Sequence, residues 1–282
     1  MLLSKIKTVI GRLRAMADDM EAMRLAIGRL ENQLADKSHM QVYSQFNEDG
    51  IIQLLLQHIP CENNCFIEFG VEDYTQSNTR FLLQNNNWSG IVIDGDTENI
   101  KKIHASKLHT FYELDAYHLF ITRENINAFL LEKLDGRQCD LLSIDIDGND
   151  YWVWEAITSI SPSIVIIEYN SLFGSSNDCT IEYEPGFIRS ERTLFKYGAS
   201  YQSLLRLAKQ KGYSFVRCNS NGNNMFFVKQ SLSCLLPEYV FAPRMIPQTF
   251  REFREPEKRQ RYNSFDKRRK LLDDYEFHKF EE

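Results

Sequence analysis

Short, almost wholly apolar runs alternating with helical stretches constrain this chain more than any other feature. CFIEF at 65–69, GIVID at 90–94, DLLSID at 140–145 and SIVIIE at 163–168 are too short for helices. They are also too continuously apolar for strands wetted on one face. Runs of this kind, each followed by a helix, form the doubly covered strands of a parallel sheet. Helices are expected at 78–86, 98–105, 124–134, 151–160 and 200–211, and a third strand at 109–114. The last two strands, 213–218 and 225–229, flank NSNGNN at 219–224. Asn-Gly marks a tight hairpin, so the final strand should run antiparallel. The fold class is α/β, with five βα units, a helix and a closing hairpin in one seven-strand, Rossmann-like sheet.

Residues 1–38 follow another rule. Leu3, Ile6, Ile10 and Leu13, then Met16, Met20, Met23, Ile27, Leu30 and Leu34, recur at spacings of three and four with one irregular step. A helix of this length, about 50 Å at 1.5 Å per residue, exceeds what a small domain needs. The expectation is an N-terminal coiled coil that makes the chain a homo-oligomer. Lys5, Lys7, Arg12 and Arg14 offer a second use, peripheral contact with an anionic membrane. No apolar run is long enough to span a bilayer, and charges interrupt any signal-like stretch, so the chain reads as cytoplasmic. Net charge of -6 argues against a nucleic-acid partner. Six scattered cysteines, with only Cys61 and Cys65 close in sequence, suggest reduced thiols rather than a zinc site.

The catalytic domain is expected over 41–235. Residues 170–199 lack a regular pattern and carry Gly174, Pro185, Gly186 and Gly198, as a lid or substrate loop would. Residues 236–282 form a charged tail, expected to be a solvated helix beside the domain.

Ligands of open α/β sheets bind beyond the carboxyl ends of the strands. The first strand ends at Glu68-Phe69-Gly70, and the second at Asp94, whose carboxylate can accept both hydroxyl hydrogens of a ribose. Absence of G-x-G-x-x-G weakens a dinucleotide reading. The fourth strand ends in Asp145-Ile146-Asp147-Gly148-Asn149-Asp150, where like charges crowd together. One of Asp147, Asn149 and Asp150 is expected to cap the following helix. The cluster otherwise calls for a cation. Asp145 with Glu168 and Asn170 from the fifth strand would make an all-oxygen Mg²⁺ site. Asp145 and Asp147 are the candidate general bases, ahead of His104 and His109. Tyr169, Tyr183, Arg189 and Arg192 are candidate substrate contacts, the arginines suited to a phosphate or carboxylate.

YSQFNEDGII at 43–52, FIEFGVEDYTQSNTRFLL at 66–83, WSGIVIDGD at 88–96, SIDIDGNDYWVW at 143–154, IIEYN at 166–170 and NNMFFVK at 223–229 together resemble the FkbM-like branch of class I S-adenosylmethionine-dependent methyltransferases. The resemblance covers roughly 41–230 and implies O-methylation of a hydroxyl on a sugar or glycan-derived small molecule. By it, Glu68 and Gly70 line the methionine part of the cofactor, Asp94 holds its ribose, and Asp115 falls near the adenine. Asn78 and Thr79 would meet the cofactor carboxylate, Asp145 would border the cofactor, and Gln45 and Glu48 belong to a segment folded over it. Val71, Glu72, Asp73 and Tyr74 depart from the usual glycine-rich loop. Two other readings stay open: a metal-dependent nucleotide-sugar glycosyltransferase using Asp145-x-Asp147, and a non-enzymatic coiled-coil scaffold.

Overall fold

The computed structural model describes residues 2–34, 37–189, 195–247, 253–254, 261–262, 270–272 and 276–280. Its centre is a sheet of strands β1 (Cys65–Phe69), β2 (Ser89–Asp94), β3 (Leu114–His118), β4 (Leu141–Ile144), β5 (Ile164–Glu168), β7 (Tyr213–Cys218) and β8 (Asn224–Lys229). A short strand, β6 (Cys179–Thr180), lies outside it. The order β3-β2-β1-β4-β5-β8-β7 is parallel from β3 to β5, and β8 runs antiparallel to both neighbours. The terminal hairpin is thus inserted against β5, with its second strand lying between β5 and β7.

Helices α2 (Glu48–Leu56), α3 (Arg80–Asn86), α4 (Thr97–Ala105), α5 (Leu108–Phe111), α6 (Ile126–Leu134), α7 (Asp150–Ala156) and α8 (Tyr201–Gln210) follow the long N-terminal α1 (Leu2–Glu31). Two apolar clusters cover the two faces of the sheet. One joins Ile67, Ile91, Leu142 and Val165 to Leu130, Val153 and Leu204. The other joins Phe66, Val92, Leu141 and Ile166 to Leu55, Leu82 and Ile103. Alternate residues of each central strand therefore enter opposite cores, which is why those strands are apolar throughout.

The third strand departs from expectation. Residues 108–111 form a helical turn entered through Lys107 at φ +61°, and the strand begins only at Leu114. As an edge strand it buries one residue fully, Leu114, so it lacks the apolar signature of its neighbours.

The 170–199 segment holds a 3₁₀ turn at Ser171–Phe173 and β6, which pairs antiparallel with a strand at His278–Lys279. The chain beyond 270 thus returns to the loop: Phe277 packs on Phe173, and Phe280 lies between Tyr151 and the Arg206 guanidinium. Most of the tail's basic cluster lies outside the described residues, and no helix longer than a 3₁₀ turn occurs in the described part of 236–282. All six cysteines are free thiols. No described helix is long and apolar enough to cross a membrane.

Two faces of α1 have different surroundings. Gly28 meets Val42 and Phe81, Leu25 packs beside them, and the Arg29 guanidinium donates to the Gln84 carbonyl at 3.1 Å. The stripe Leu13, Met16, Met20, Met23, Ile27, Leu30 and Leu34 is exposed, Met20 by 72%.

Candidate active site

A cleft of about 600 Å³ opens at the carboxyl ends of β1, β2, β4 and β5. Gly70, Glu72 and Gln76 to Asn78 border one half, with Asp94, Gly95 and Leu119 to Ile121; Asp145 to Asp147, Asn149, Glu168, Phe187 to Arg189, Asn223 and Asn224 border the other. Gln45 and Glu48 stand at its margin.

In the first half, backbone turns are held by carboxylates. Glu68 is buried and accepts from Ser77 Oγ at 2.7 Å, Asn78 N–H at 2.9 Å, Thr79 N–H at 3.1 Å and Thr79 Oγ at 2.5 Å. It therefore organises the entry to α3, and burial raises its pKa against those donors. Asn78 reaches the cleft and donates to Ser143 Oγ at 3.1 Å, whereas Thr79 is buried behind it, bonded to Tyr74 and Glu68. Asp94 Oδ2 accepts from Glu72 N–H at 2.8 Å; its Oδ1 accepts from Asp96 N–H at 2.8 Å and Asn99 Nδ2 at 3.1 Å. A carboxylate has about four lone-pair sites, which leaves room for a ligand hydroxyl.

Asp115 does not reach this cleft. It lies inside β3, half-exposed, with Arg137 at 3.9 Å. The shift of the strand by several residues puts Leu119, Phe120 and Ile121 at the tip instead, an apolar slot beside Gly95. His104 and His109 meet edge to face, away from the cleft.

The second half is acidic. Oxygens of Asp145, Asp150 and Glu168 all lie within 4.8 Å of one another. Burial pushes the Asp145 and Glu168 carboxyls well above the ordinary range, and neighbouring carboxylates push them further, while Arg189 opposes both. Asp150 accepts from Ile146 N–H at 2.8 Å and Gly148 N–H at 2.9 Å, and burial carries it up to about 6. It closes the 146–148 turn, while Asn149, at the N-cap, donates instead to the Glu184 carbonyl at 2.7 Å. Asp147, at φ +57°, accepts from the Arg189 guanidinium, which stacks 3.6 Å from the centroid of Tyr197.

Asn170 is not in this group. The chain leaves β5 at Glu168 and turns into the 3₁₀ segment, so Asn170 caps that turn, accepting from Leu172 N–H at 3.1 Å. Its amide donates to the carbonyls of Phe195 and Tyr197 at 2.9 and 3.2 Å. Asp150 takes the place expected for Asn170 in an all-oxygen set. Tyr169 is also turned away, its hydroxyl donating to the Ile246 carbonyl at 2.6 Å. Tyr183 bonds Glu124 under the Arg123 guanidinium, outside the cleft. Arg189 lines the cleft; Arg192 lies outside the described residues.

Residues that the strand-end reading passed over are those of the hairpin. Asn219 and Asn224 donate to Glu48 Oε1 at 2.5 and 3.0 Å, fixing the segment before the sheet against the β7–β8 turn. The asparagine-rich turn was visible as a turn, but its distance of some 170 residues from Glu48 hides the contact. Three buried acceptor atoms in this half, Asn149 Oδ1, Glu168 Oε2 and Asn224 Oδ1, have no hydrogen-bond partner among the described residues. The amide nitrogens of Asn149 and Asn224 are engaged by the Glu184 carbonyl and the Glu48 carboxylate, which fixes which end of each of these two side chains is the acceptor.

No family model matches the sequence, and no curated protein matches it. Solved structures do overlap it. The SAH-bound N-terminal domain of EvdMO1 is 13% identical, covering 68% of this chain and 83% of its own at a TM-score of 0.43. An S-adenosylmethionine-dependent methyltransferase from Clostridium acetobutylicum is 11% identical, covering 70% and 93% at 0.43. SAH-bound PaMTH1 of Podospora anserina is 10% identical, covering 75% and 88% at 0.45. Scores of this size assign neither activity nor ligand to this chain.

Proposed function

We propose that this chain is an S-adenosylmethionine-dependent O-methyltransferase whose acceptor is a polyhydroxylated molecule, such as a sugar or a glycan-derived compound. The observation that carries the reading is the two-part cleft. One half ends on Asp94 at the tip of β2 beside an apolar slot, and the other gathers three buried acceptor atoms that lack donors. A nucleoside fits the first, with a ribose hydroxyl on Asp94 and its base against Leu119 to Ile121. A ligand rich in hydroxyl donors fits the second, since a buried acceptor left unpaired is costly.

S-adenosylmethionine, when bound, supplies an electrophilic methyl group on a sulfonium. The chain's residues hold the acceptor hydroxyl in line with it, and Phe187 and Ile188 help exclude water. Asp145 is the candidate base: it lines the cleft at the tip of β4, and burial raises its pKa, which makes it more basic than an ordinary carboxylate. Asp147, paired with Arg189, serves as a positioning residue for the loop rather than a second base. Asp145, Asp150 and Glu168 are hard oxygen donors, one with an orphaned oxygen, and so fit Mg²⁺, which would lower the pKa of a bound hydroxyl. We also propose that the exposed stripe of α1 makes the chain a homo-oligomer.

Titration calorimetry with S-adenosylmethionine and S-adenosylhomocysteine, with and without Mg²⁺, tests the cofactor. Transfer of labelled methyl to a panel of free sugars and nucleotide sugars tests the acceptor. Binding of a nucleotide-sugar with no response to either cofactor form would overturn the reading in favour of glycosyl transfer.

A further inference from the structure

Along α1 a heptad register assigns Met16, Met23 and Leu30 to d and Met20 and Ile27 to a, with Leu34, in the turn just past the helix, next in the a series. Glu21 and Gly28 are then b positions, and Leu25 and Asn32 are f positions. Residues at b, c and f dock on the domain, Arg29 at c through the Gln84 carbonyl, and Arg24 at e lies 5.9 Å from the Tyr43 ring centroid. Glu21 pairs with Arg80, Gly28 meets Val42 and Phe81, and Asn32 donates to Gln53 at 3.2 Å. The a and d residues face away, every one exposed. A helix seated mainly through b, c and f leaves its a/d stripe free.

Arg80 joins this helix to the cleft. It is buried, donates to the Tyr74 carbonyl at 2.9 Å, and stacks 4.8 Å from the Tyr43 ring. The turn it holds is strained: Glu72 and Tyr74 both have positive φ, +48° and +63°, without being glycine. That turn sends the Glu72 N–H to Asp94 and leads into the Ser77 and Asn78 edge of the cleft. Tyr43 belongs to the turn carrying Gln45, and its carbonyl accepts from Ser77 N–H at 3.1 Å. Without Glu21, the Arg80 guanidinium would stay buried with only a carbonyl and a ring facing it.

We infer that α1 pairs in parallel with α1 of a second copy through its a/d stripe, and that this pairing stabilises the strained 71–79 turn of the cleft through Glu21 and Arg80. Charge selects the occupant and its direction. In a parallel pair, Asp19 at g lies opposite Arg24 at e of the second copy, an attractive contact, while that Arg24 also lies over Tyr43 of its own chain. Assembly that rigidifies α1 removes the freedom of Glu21 to leave Arg80, so the dimer holds the turn more firmly than the monomer does. Only the identity of the ligand that benefits rests on the methyltransferase reading; the mechanical coupling does not.

Amide hydrogen exchange on the full chain, with molar mass from light scattering, tests both parts. The parent should be a dimer, and dilution below its dissociation constant should speed exchange at 42–46 and 71–79 by about fivefold, the low end of couplings between sites. Met23→Glu, on the outer face, should give a monomer with the same faster exchange at any concentration. Glu21→Gln should keep the dimer yet show it too. A parent that stays monomeric at high concentration overturns the choice of occupant. Unchanged exchange at 71–79 on dilution or in Glu21→Gln overturns the coupling, and dilution needs no variant to fold. S-adenosylhomocysteine titration of the same samples is a separate readout: a parent that fails to bind it refutes the methyltransferase reading and leaves the exchange result standing.

Discussion

Gly70 stands so close to Asp145 that a Cβ on it would lie 1.6 Å from the Asp145 carbonyl oxygen. Its φ of +72° adds a second reason for glycine. The tips of β1 and β4 meet there, and the two halves of the cleft share that contact. Close approach of backbone to backbone, as well as to any ligand, therefore explains the single glycine of this turn.

Gly70→Ala should cost ~3 kcal/mol or more, since neither backbone can move without disturbing a strand tip. Urea unfolding with the parent as reference measures it. Loss of less than ~1 kcal/mol would mean that the tips separate easily.

Asp94→Ala should weaken S-adenosylhomocysteine binding on the order of thirtyfold, equivalent to ~2 kcal/mol of charged hydrogen bonding. Because Asp94 also holds the Glu72 and Asp96 amides, Asp94→Asn is the informative partner. It keeps one acceptor oxygen and should lose less. Calorimetry on both variants, with melting curves to confirm folding, separates ligand contact from turn support.

Asp49 gives a pH signature. Its Oδ2 accepts from the N–H groups of Val42, Tyr43 and Ser44 and from Ser44 Oγ, all within 2.9 Å, yet complete burial raises its pKa from 3.8 to about 6. The folded state thus holds this proton longer than the unfolded chain. The corresponding stability is full below about 3.8 and is lost as pH rises through about 6. Between pH 7 and pH 5 the parent should gain ~1.4 kcal/mol more than Asp49→Asn does. Equal gains in urea titrations at the two pH values would contradict the assignment.

Arg189→Ala should tighten Mn²⁺ binding on the order of tenfold, or ~1.4 kcal/mol for one partly screened charge. The guanidinium now neutralises Asp147 and lowers the pKa of Asp145 and Glu168. Paramagnetic titration of free Mn²⁺ reads this directly, without any turnover. Unchanged affinity would show that the acidic group is not a cation site.

The central strands were legible because burial on both faces requires contiguous Ile, Val, Leu and Phe, a pattern that survives in one dimension. The hairpin was legible from Asn221 and Gly222 for a similar reason: a tight turn is a local constraint, and Gly222 does adopt φ +77°. The edge strand was not. Leu114 to His118 has one covered residue, so nothing in its pattern outweighs the aromatic run just before it, and Asp115, expected past the strand end, lies inside the strand and does not line the cleft.

Among the site residues, the carboxylates at strand tips could be read from sequence, since a parallel sheet puts every carboxyl end on one edge. Gly70, Asp94, Asp145 and Glu168 reach the cleft on that ground alone. What each side chain does beyond the tip was decided by the tertiary structure. A 3₁₀ turn claimed Asn170, the 246 backbone claimed the Tyr169 hydroxyl, and Glu48 found its partners across the whole chain at Asn219 and Asn224. Strand period and apolar content are properties of neighbouring residues and determine the sheet. Hydrogen-bond partners of buried polar groups are set by whatever backbone or amide the packing brings within 3 Å, and linear spacing carries no record of that.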